Sequence, residues 1–381
     1  MNRRQVLLTT GGASLLLVGG YAGYAMSRDA PSVREPWKRA AKGFGDPRLD
    51  ALAYAILAPS PHNRQPWIVE LDGDAGFTLF PDLDRLLPET DPPNRQIVIG
   101  FGAFLEMFRM AAAEAGFRTE VTPFPDGEPQ PVLDARPIAR VAMVEDANTA
   151  RAPLFDMTLE RRTNRAPFSG RVPPEDVLRR LGAASGAGER FGFTSKPEAV
   201  ARLQSIAAAA WGVEVNLART HAESVRLTRI GAEEVRADPD GISLYGPMME
   251  LYSRLGLLSR KGMKEIGSSG HTATEAFYAK SIAATPAFAW LTSPGNSRTD
   301  QLQAGRDWVR LQLAATAVGL AFHPLSQALQ EFPEMAGPFR DIHAALGVGD
   351  PARVQGMFRL GYADAPRPSP RWPLESRLRR A

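Results

Sequence analysis

Apolar and polar positions along the chain repeat with two different periods, and these periods set the first expectations. Trp67-Ile68-Val69-Glu70-Leu71 and Phe77-Thr78-Leu79-Phe80 flank a Gly/Asp turn and predict a pair of strands. Ahead of them, Pro47 to Leu57 predicts a short helix with Asp46 as its N-cap and proline at its first position. That helix must stop at the 58–66 loop, where prolines at 59, 61 and 66 exclude it. Ile97 to Ala115 is apolar on nearly every face, the pattern of a helix buried on all sides. Arg136 to Val144 predicts another strand. From about residue 151 a second unit follows, with helices near 151–161, 174–182 and 198–235 and a buried strand at Ala287 to Leu291. A second long apolar helix runs from Gln301 to Leu320, and a last strand from Gln355 to Tyr362.

The two long helices align on each other with one constant offset. Gly102 meets Gly305, Ala112 meets Ala315 and Gly116 meets Gly319, and each helix ends in glycine, a large apolar residue and a strand-like segment. This pattern predicts two copies of one unit, each with a central helix. The expected fold is α+β, with mixed or antiparallel sheets around the long helices, a first lobe over 46–150 and a second over 151–378. Residues 238–281 interrupt the second lobe with short helical runs lacking a clear buried stripe. They read either as a lid or as a surface excursion.

The start of the chain is of a different kind. Arg3 and Arg4 precede a stretch from Val6 to Ala25 that contains no charge. This is the layout of a twin-arginine export signal over residues 1–26, followed by a polar linker at 27–45. The run is also long enough to stay as a membrane anchor, so residues 6–25 are an expected tether if the signal is retained. The expected location is exported, either periplasmic or held at the cytoplasmic membrane.

Composition narrows the chemistry. The net charge is +3, and without residues 1–26 about +1, so no nucleic-acid partner is expected. There is no cysteine, which excludes disulfides, thiolate nucleophiles and cysteine-ligated metals. Five scattered histidines show no metal spacing, and no metal site is expected. Gly-x-Gly-x-x-Gly, the P-loop and Gly-x-Ser-x-Gly are all absent.

Three segments carry candidate binding chemistry. The stiff loop Pro59-Ser60-Pro61-His62-Asn63-Arg64-Gln65-Pro66-Trp67 offers short hydrogen-bonding groups suited to the edge of a planar polar ligand. Arg161-Arg162-Thr163-Asn164-Arg165 places guanidiniums beside a hydroxyl, which suits a phosphate or simply a basic helix end. Arg371 lies in a basic segment near the C-terminus. Arg95, at the start of the first long helix, either reaches a ligand or caps that helix.

The loop resembles the Pro-Ser-x-x-Asn-x-Gln-Pro-Trp element of nitroreductase-like flavoproteins. That resemblance implies flavin contacts by Pro59, Ser60, Asn63 and Gln65, and leaves His62 without a role. Residues 161–165 are similar to the family's Arg-x-Ser-x-Arg/Lys element, which implies that Arg161, Thr163 and Arg165 grip the phosphate of FMN. Arg371 matches the position completing that clamp, with Ser369 where many relatives carry a basic residue. The segment after the second long helix implies amide contacts at Pro324, Leu325 and Ser326 to the flavin edge, with His323 structural.

In the family the phosphate clamp precedes the loop, and two chains build each site. Here the loop comes first. The resemblance is therefore to the tandem, Acg-type members, in which a fused pseudo-dimer forms one site from two lobes and a monomer suffices. It implies an FMN-dependent oxidoreductase passing hydride or electrons from a small-molecule donor to a nitroaromatic- or quinone-like acceptor, with no side-chain acid or base demanded. The alternative is a flavin-sequestering protein with little turnover, and a third reading is an envelope protein with a decayed site.

Overall fold

A computed structural model describes residues 30–379, so the predicted export segment and tether lie outside the described residues. The helices are α1 (Glu35–Lys42), α2 (Pro47–Ala55), α3 (Arg95–Glu114), α4 (Glu175–Ser185), α5 (Pro197–Asn216), α6 (Ala218–Arg226), α7 (Gly231–Ala237), α8 (Pro247–Arg254), α9 (Arg260–Lys264), α10 (Ser269–Ala283), α11 (Arg298–Ala317) and α12 (Ala336–Ala345). The strands of the first lobe are β1 (Trp67–Asp72), β2 (Gly76–Pro81), β3 (Phe117–Pro123) and β4 (Ala139–Glu145). Those that follow are β5 (Phe191–Thr194), β6 (Thr228–Ile230), β7 (Ile242–Leu244), β8 (Ala287–Ser293), β9 (Ala321–Pro324), β10 (Arg353–Gly361) and β11 (Leu378–Arg379). The class is α+β, as expected.

Two main sheets carry the lobes. The first has the order β11-β1-β2-β4-β3 and the second β5-β8-β10-β9. All neighbours are antiparallel except β1 and β11, which run parallel with Val69 opposite Leu378. The end of the chain thus returns from the second sheet to extend the first. A separate parallel pair joins β6 to β7, the first strand of the insertion.

Several elements follow directly from local chemistry. The Asp46 side chain accepts the backbone N–H groups of Arg48 and Leu49, capping α2 as predicted. Ser297 and Asp300 form a reciprocal capping box at the start of α11. Elsewhere the structure departs from expectation. Residues 151–161 hold only one 3-10 turn, Phe155–Met157, although Leu154, Phe155, Met157 and Leu159 pack against the first core. The expected helix over 198–235 is three helices, broken by extended backbone at Leu217 and by β6. The expected linker at 27–45 contains α1, whose Trp37 is buried in the first-lobe core.

The helices α3 and α11 pass through the middle of the molecule in direct contact. Among the described residues α3 is the one helix long and apolar enough to cross a membrane, but it is almost wholly buried by protein. Their residues obey the offset seen in the sequence: Arg95 and Arg298 open them, and Glu114 and Ala317 close them. At the crossing a Cβ on Gly102 would overlap the Leu302 carbonyl, and one on Gly305 would overlap that of Ile99. Ile99 and Leu302 are related by that same offset, so the contact is reciprocal, like an isologous interface. The opening arginines reciprocate too. Arg95 donates to the carbonyls of Leu329 and Gln355 and pairs with Glu331 at 2.7 Å, all in the second lobe. Arg298 donates to the carbonyls of Pro129 and Pro131 in the first. Arg95 is therefore a tie between lobes, and its guanidinium is not available to a ligand.

Candidate functional site

The 58–67 loop has an unusual backbone. His62, Asn63 and Gln65 all have positive φ, 47°, 53° and 50°, a region that non-glycine residues occupy at a cost. A 3-10 turn at Pro61–Asn63 occupies the place where the prolines exclude a longer helix. Long-range bonds hold this strained path. The Gln65 carboxamide accepts the Trp372 N–H at 2.9 Å and donates to the Pro239 carbonyl at 2.7 Å. The Gln65 N–H donates to Ser60 Oγ at 3.0 Å. Gln65, expected at the ligand, is fully buried with both ends of its amide committed, so it shapes the loop instead. Asn63 faces the C-terminal segment, donating to the Pro370 carbonyl at 3.1 Å and accepting from Arg371. Pro59 and Ser60 lie on α3 at Gly100.

Beside this loop the structure gathers Arg161 and Arg371, each 2% exposed. Arg371 Nη2 donates to the carbonyls of Leu57 at 3.0 Å and Ala58 at 3.2 Å. Arg161 donates to the same Leu57 carbonyl at 2.8 Å and to Gln312 Oε1, on α11, at 3.2 Å. Neither pairs with a carboxylate among the described residues, and Nε of both is buried without a partner. Burial, with Arg162 adding repulsion, lowers the Arg161 pKa to about 9. Burial and then the charges of Arg161 and Arg162 hold Arg371 well below the usual arginine range. A guanidinium does not give up its proton in a protein. These depressions therefore express the cost of burying positive charge with no counter-charge. The aromatic face of Trp37 partly offsets it, with Arg162, Arg371 and Arg161 at 5.0, 5.5 and 5.8 Å from the ring. Trp37 Nε1 donates to the Ser369 carbonyl at 2.9 Å. The sequence reading missed Trp37; the available signal was Glu35-Pro36-Trp37, a proline-led helix start carrying one large apolar residue.

The other predicted residues fall around this cluster. Thr163 Oγ1 receives a long contact from Gln312 Nε2 at 3.4 Å. The exposed Arg165 presents its charge to two rings, the half-buried His62 and the buried His323, and its carbonyl accepts from Ser281 Oγ at 2.9 Å. Burial is the main cause that lowers both histidines, His62 to about 4, with Arg165 and Arg64 adding to it at His62. His323 Nδ1 lies 2.8 Å from Arg359 Nη1, a structural partnership inside the second sheet. Of the three expected backbone contacts, Pro324 has no N–H and that of Leu325 is spent on the Met357 carbonyl at 2.8 Å. Leu325 itself is buried in the second-lobe core, while Ser326 and Pro324 are half-buried.

His62 supplies a pH test. Its folded-state pKa lies below that of an exposed histidine, so the unfolded chain takes up its proton first as pH falls. Stability is then undiminished above about pH 6.5 and falls between there and pH 4. Denaturant unfolding of the ligand-free chain at pH 5 and pH 7.5 should show a smaller difference for His62→Gln than for the parent. An equal difference would mean that His62 is not buried neutral.

The insertion is bound to the back of the loop. Asp240, buried, accepts from Arg64 at 2.8 Å and from Arg229 at 2.7 Å, and Arg85 shares its Oδ2. With the Pro239–Gln65 bond, this fixes residues 239–241 against the positive-φ backbone. The far end of the insertion reaches the site through Ser281 and Arg165.

No family model matches the chain. A Mycobacterium tuberculosis protein provisionally named NAD(P)H nitroreductase acg is 39% identical over 127 residues, 33% of this chain and 36% of that protein. The chain thus matches about a third of the length of that relative. A second M. tuberculosis protein, also provisionally named an NAD(P)H nitroreductase, is 27% identical over 342 residues, 85% of this chain and 91% of the relative. The sequence similarity is to proteins provisionally named nitroreductases. Among solved structures, a nitroreductase from Anabaena variabilis aligns over 81% of this chain and 82% of its own, with 12% identity and a TM-score of 0.44. The FMN-dependent nitroreductase NfnB of Mycobacterium smegmatis covers 54% of the chain and 85% of its own, with 24% identity and a TM-score of 0.34.

Proposed function

We propose that this chain is an FMN-dependent oxidoreductase in which a single flavin is shared between two fused nitroreductase-like lobes. The observation that carries the reading is the pair of buried guanidiniums, Arg161 and Arg371, with orphaned Nε atoms and no carboxylate partner among the described residues. Such a pair fits a bound dianion, and the phosphate of FMN is one of the right size and charge. Arg161 and Arg371 would hold the phosphate, Arg162 and Trp37 would wall it, and Ser60 and Asn63 would orient the rest of the molecule. FMN supplies hydride and electron transfer when bound. The protein's part is to hold it, exclude water and admit a donor and an acceptor. The donor is a reduced nicotinamide or a small-molecule substitute for one, and the acceptor is an electrophile of the nitroaromatic or quinone kind. Arg165, exposed between His62 and His323, is placed to meet a negatively charged part of either.

The reciprocal contacts of α3 and α11 support a tandem origin, with the loop kept from one copy and the clamp from the other. A monomer then suffices for one site. The twin-arginine layout of residues 1–26 supports export, with residues 6–25 as a tether where the segment is retained. The test is the visible spectrum and flavin content of the purified chain. One FMN per chain is the expected result; two would overturn the shared-site reading, and a chain that stays colourless after incubation with FMN would overturn the flavin itself.

A further inference from the structure

Helix α8 is built inside out. Its buried residue is Glu250, whose carboxylate accepts the Ala232 N–H at the start of α7 at 2.6 Å. Its exposed residues are Met248, Leu251 and Tyr252, with Arg254 at its end. A helix packed on a protein and facing water shows the opposite arrangement. The apolar face continues into the turn that follows, Leu255-Gly256-Leu257-Leu258, where Leu255 is 63% and Leu257 67% exposed, and on to the exposed Ile266. Single exposed leucines need no explanation, but a run of six large apolar side chains within twenty residues marks a surface with a non-aqueous partner.

The charges around it identify the partner. Arg254, Lys261 and Lys264 stand exposed in and after this stretch, where Glu265 is the one exposed acid, and Arg260 between them is paired with Glu234 of α7. Apolar residues at the tip with cations behind them match an anionic lipid surface, where leucines enter the headgroup layer and basic side chains meet phosphates. The position in the fold agrees. The described chain starts at Ala30, buried with Val33 against Ala232 and Val235 of α7. Arg34 Nη1 bonds the Tyr245 hydroxyl at 3.0 Å, two residues ahead of α8. The uncharged stretch from Val6 to Ala25, four residues ahead of Ala30 in sequence, therefore leads into the protein at the element that carries α8.

We propose that α8, the 255–258 turn and α9 form a membrane-docking face that lies on an anionic bilayer, oriented by the N-terminal tether. The inference rests on the tether part of the functional reading and adds a second point of contact to it. Two contacts fix the orientation of a protein that a single point of attachment would leave free to tumble. The insertion that carries the face is the one bonded to the loop and to Arg165, so the candidate site is held at a fixed height over the lipid.

The absence of cysteine makes the test direct. Leu257→Cys in the full-length chain is labelled with an environment-sensitive fluorophore, and Val172→Cys, 51% exposed and outside the insertion, is the control. Both are mixed with vesicles of phosphatidylglycerol and phosphatidylcholine and isolated by flotation. In the floated protein the label at 257 should be shielded from aqueous iodide and quenched by a lipid-borne quencher, while the label at 172 should not. Lys261→Gln and Lys264→Gln should each weaken the shielding roughly fivefold in lipid titrations. Flotation with a fully iodide-accessible label at 257 overturns the docking face and leaves the tether standing. Failure to float overturns both. Shielding that tracks protein density and ignores lipid charge assigns the face to a second copy of the chain and overturns the proposal.

Discussion

Gly305→Ala is expected to destabilise the chain by at least about 3 kcal/mol, near the upper end of ordinary overpacking effects. The added methyl falls on the Ile99 carbonyl, with the Gly102 Cα 2.8 Å away and the Ala103 nitrogen 2.9 Å away. These are backbone atoms of a helix buried on all sides, so no side chain can rotate aside. Relief requires α3 and α11 to separate, and that separation would loosen the lobe-crossing bonds of Arg95 and Arg298. Gly102→Ala meets the Leu302 carbonyl in the same way and should cost a similar amount. Gly212→Ala is the control. It also lies inside a long helix, but its methyl has nothing within 4 Å, so the higher helix propensity of alanine should stabilise by up to about 1 kcal/mol. Urea unfolding of the three variants separates the effects. A Gly305→Ala chain as stable as Gly212→Ala would remove the close crossing from the account. The pair Gly102→Ala/Gly305→Ala should lose less than the sum of the singles, because one separation relieves both clashes.

The legible features were those whose cause is local or repeated. Asp46 and Pro47 announce a helix start by themselves, and the geometry has the predicted cap. The two long helices were legible twice, by their apolar faces and by the offset between them. The loop was legible as a stiff polar segment, and its likeness to a known element supplied its expected role. What the sequence hid depends on partners far along the chain. Gln65 sits in the motif, but whether its amide meets a ligand depends on Trp372 and Pro239. Arg95 looks like an anion-binding arginine until Glu331 and the Leu329 carbonyl are placed beside it. The role of Trp37 was hidden because a short amphipathic helix beside a presumed signal has no partner in its own neighbourhood. Positive φ at Gln65 carries no signal in composition, since glutamine, unlike Asn63 and His62, is not a type enriched there. Net charge also misled by being small. It conceals that the positive charges buried at Arg161 and Arg371 have no negative ones near them.

Arg161→Met and Arg371→Met should both weaken FMN binding by about 2–4 kcal/mol, the loss expected when one charged partner of a buried pair is removed. Their effects on the ligand-free chain should differ. Arg161 makes two side-chain bonds, one of them to the Leu57 carbonyl that Arg371 also serves. Replacing it with methionine leaves that carbonyl satisfied, strands Gln312 Oε1 and removes a buried charge whose pKa is depressed to about 9. The loss of a hydrogen bond and the relief of desolvation have opposite signs, so stability should change by no more than about 1 kcal/mol. Arg371 is different. It ties Leu57, Ala58, Asn63 and Ser369 together and so holds the returning C-terminal segment to the loop. Its removal should cost the ligand-free chain more than about 2 kcal/mol, since several buried acceptors lose a charged donor together. Thermal unfolding with and without excess FMN reads both quantities, because ligand binding to the folded state adds to stability in proportion to the logarithm of one plus the ratio of FMN concentration to its Kd. For Arg161→Met the midpoint without FMN should stay near the parent's while the FMN-induced rise largely disappears. An undiminished rise in that variant would mean that the buried guanidinium does not face the phosphate, and the assignment of the anion site would fail at its best-supported residue.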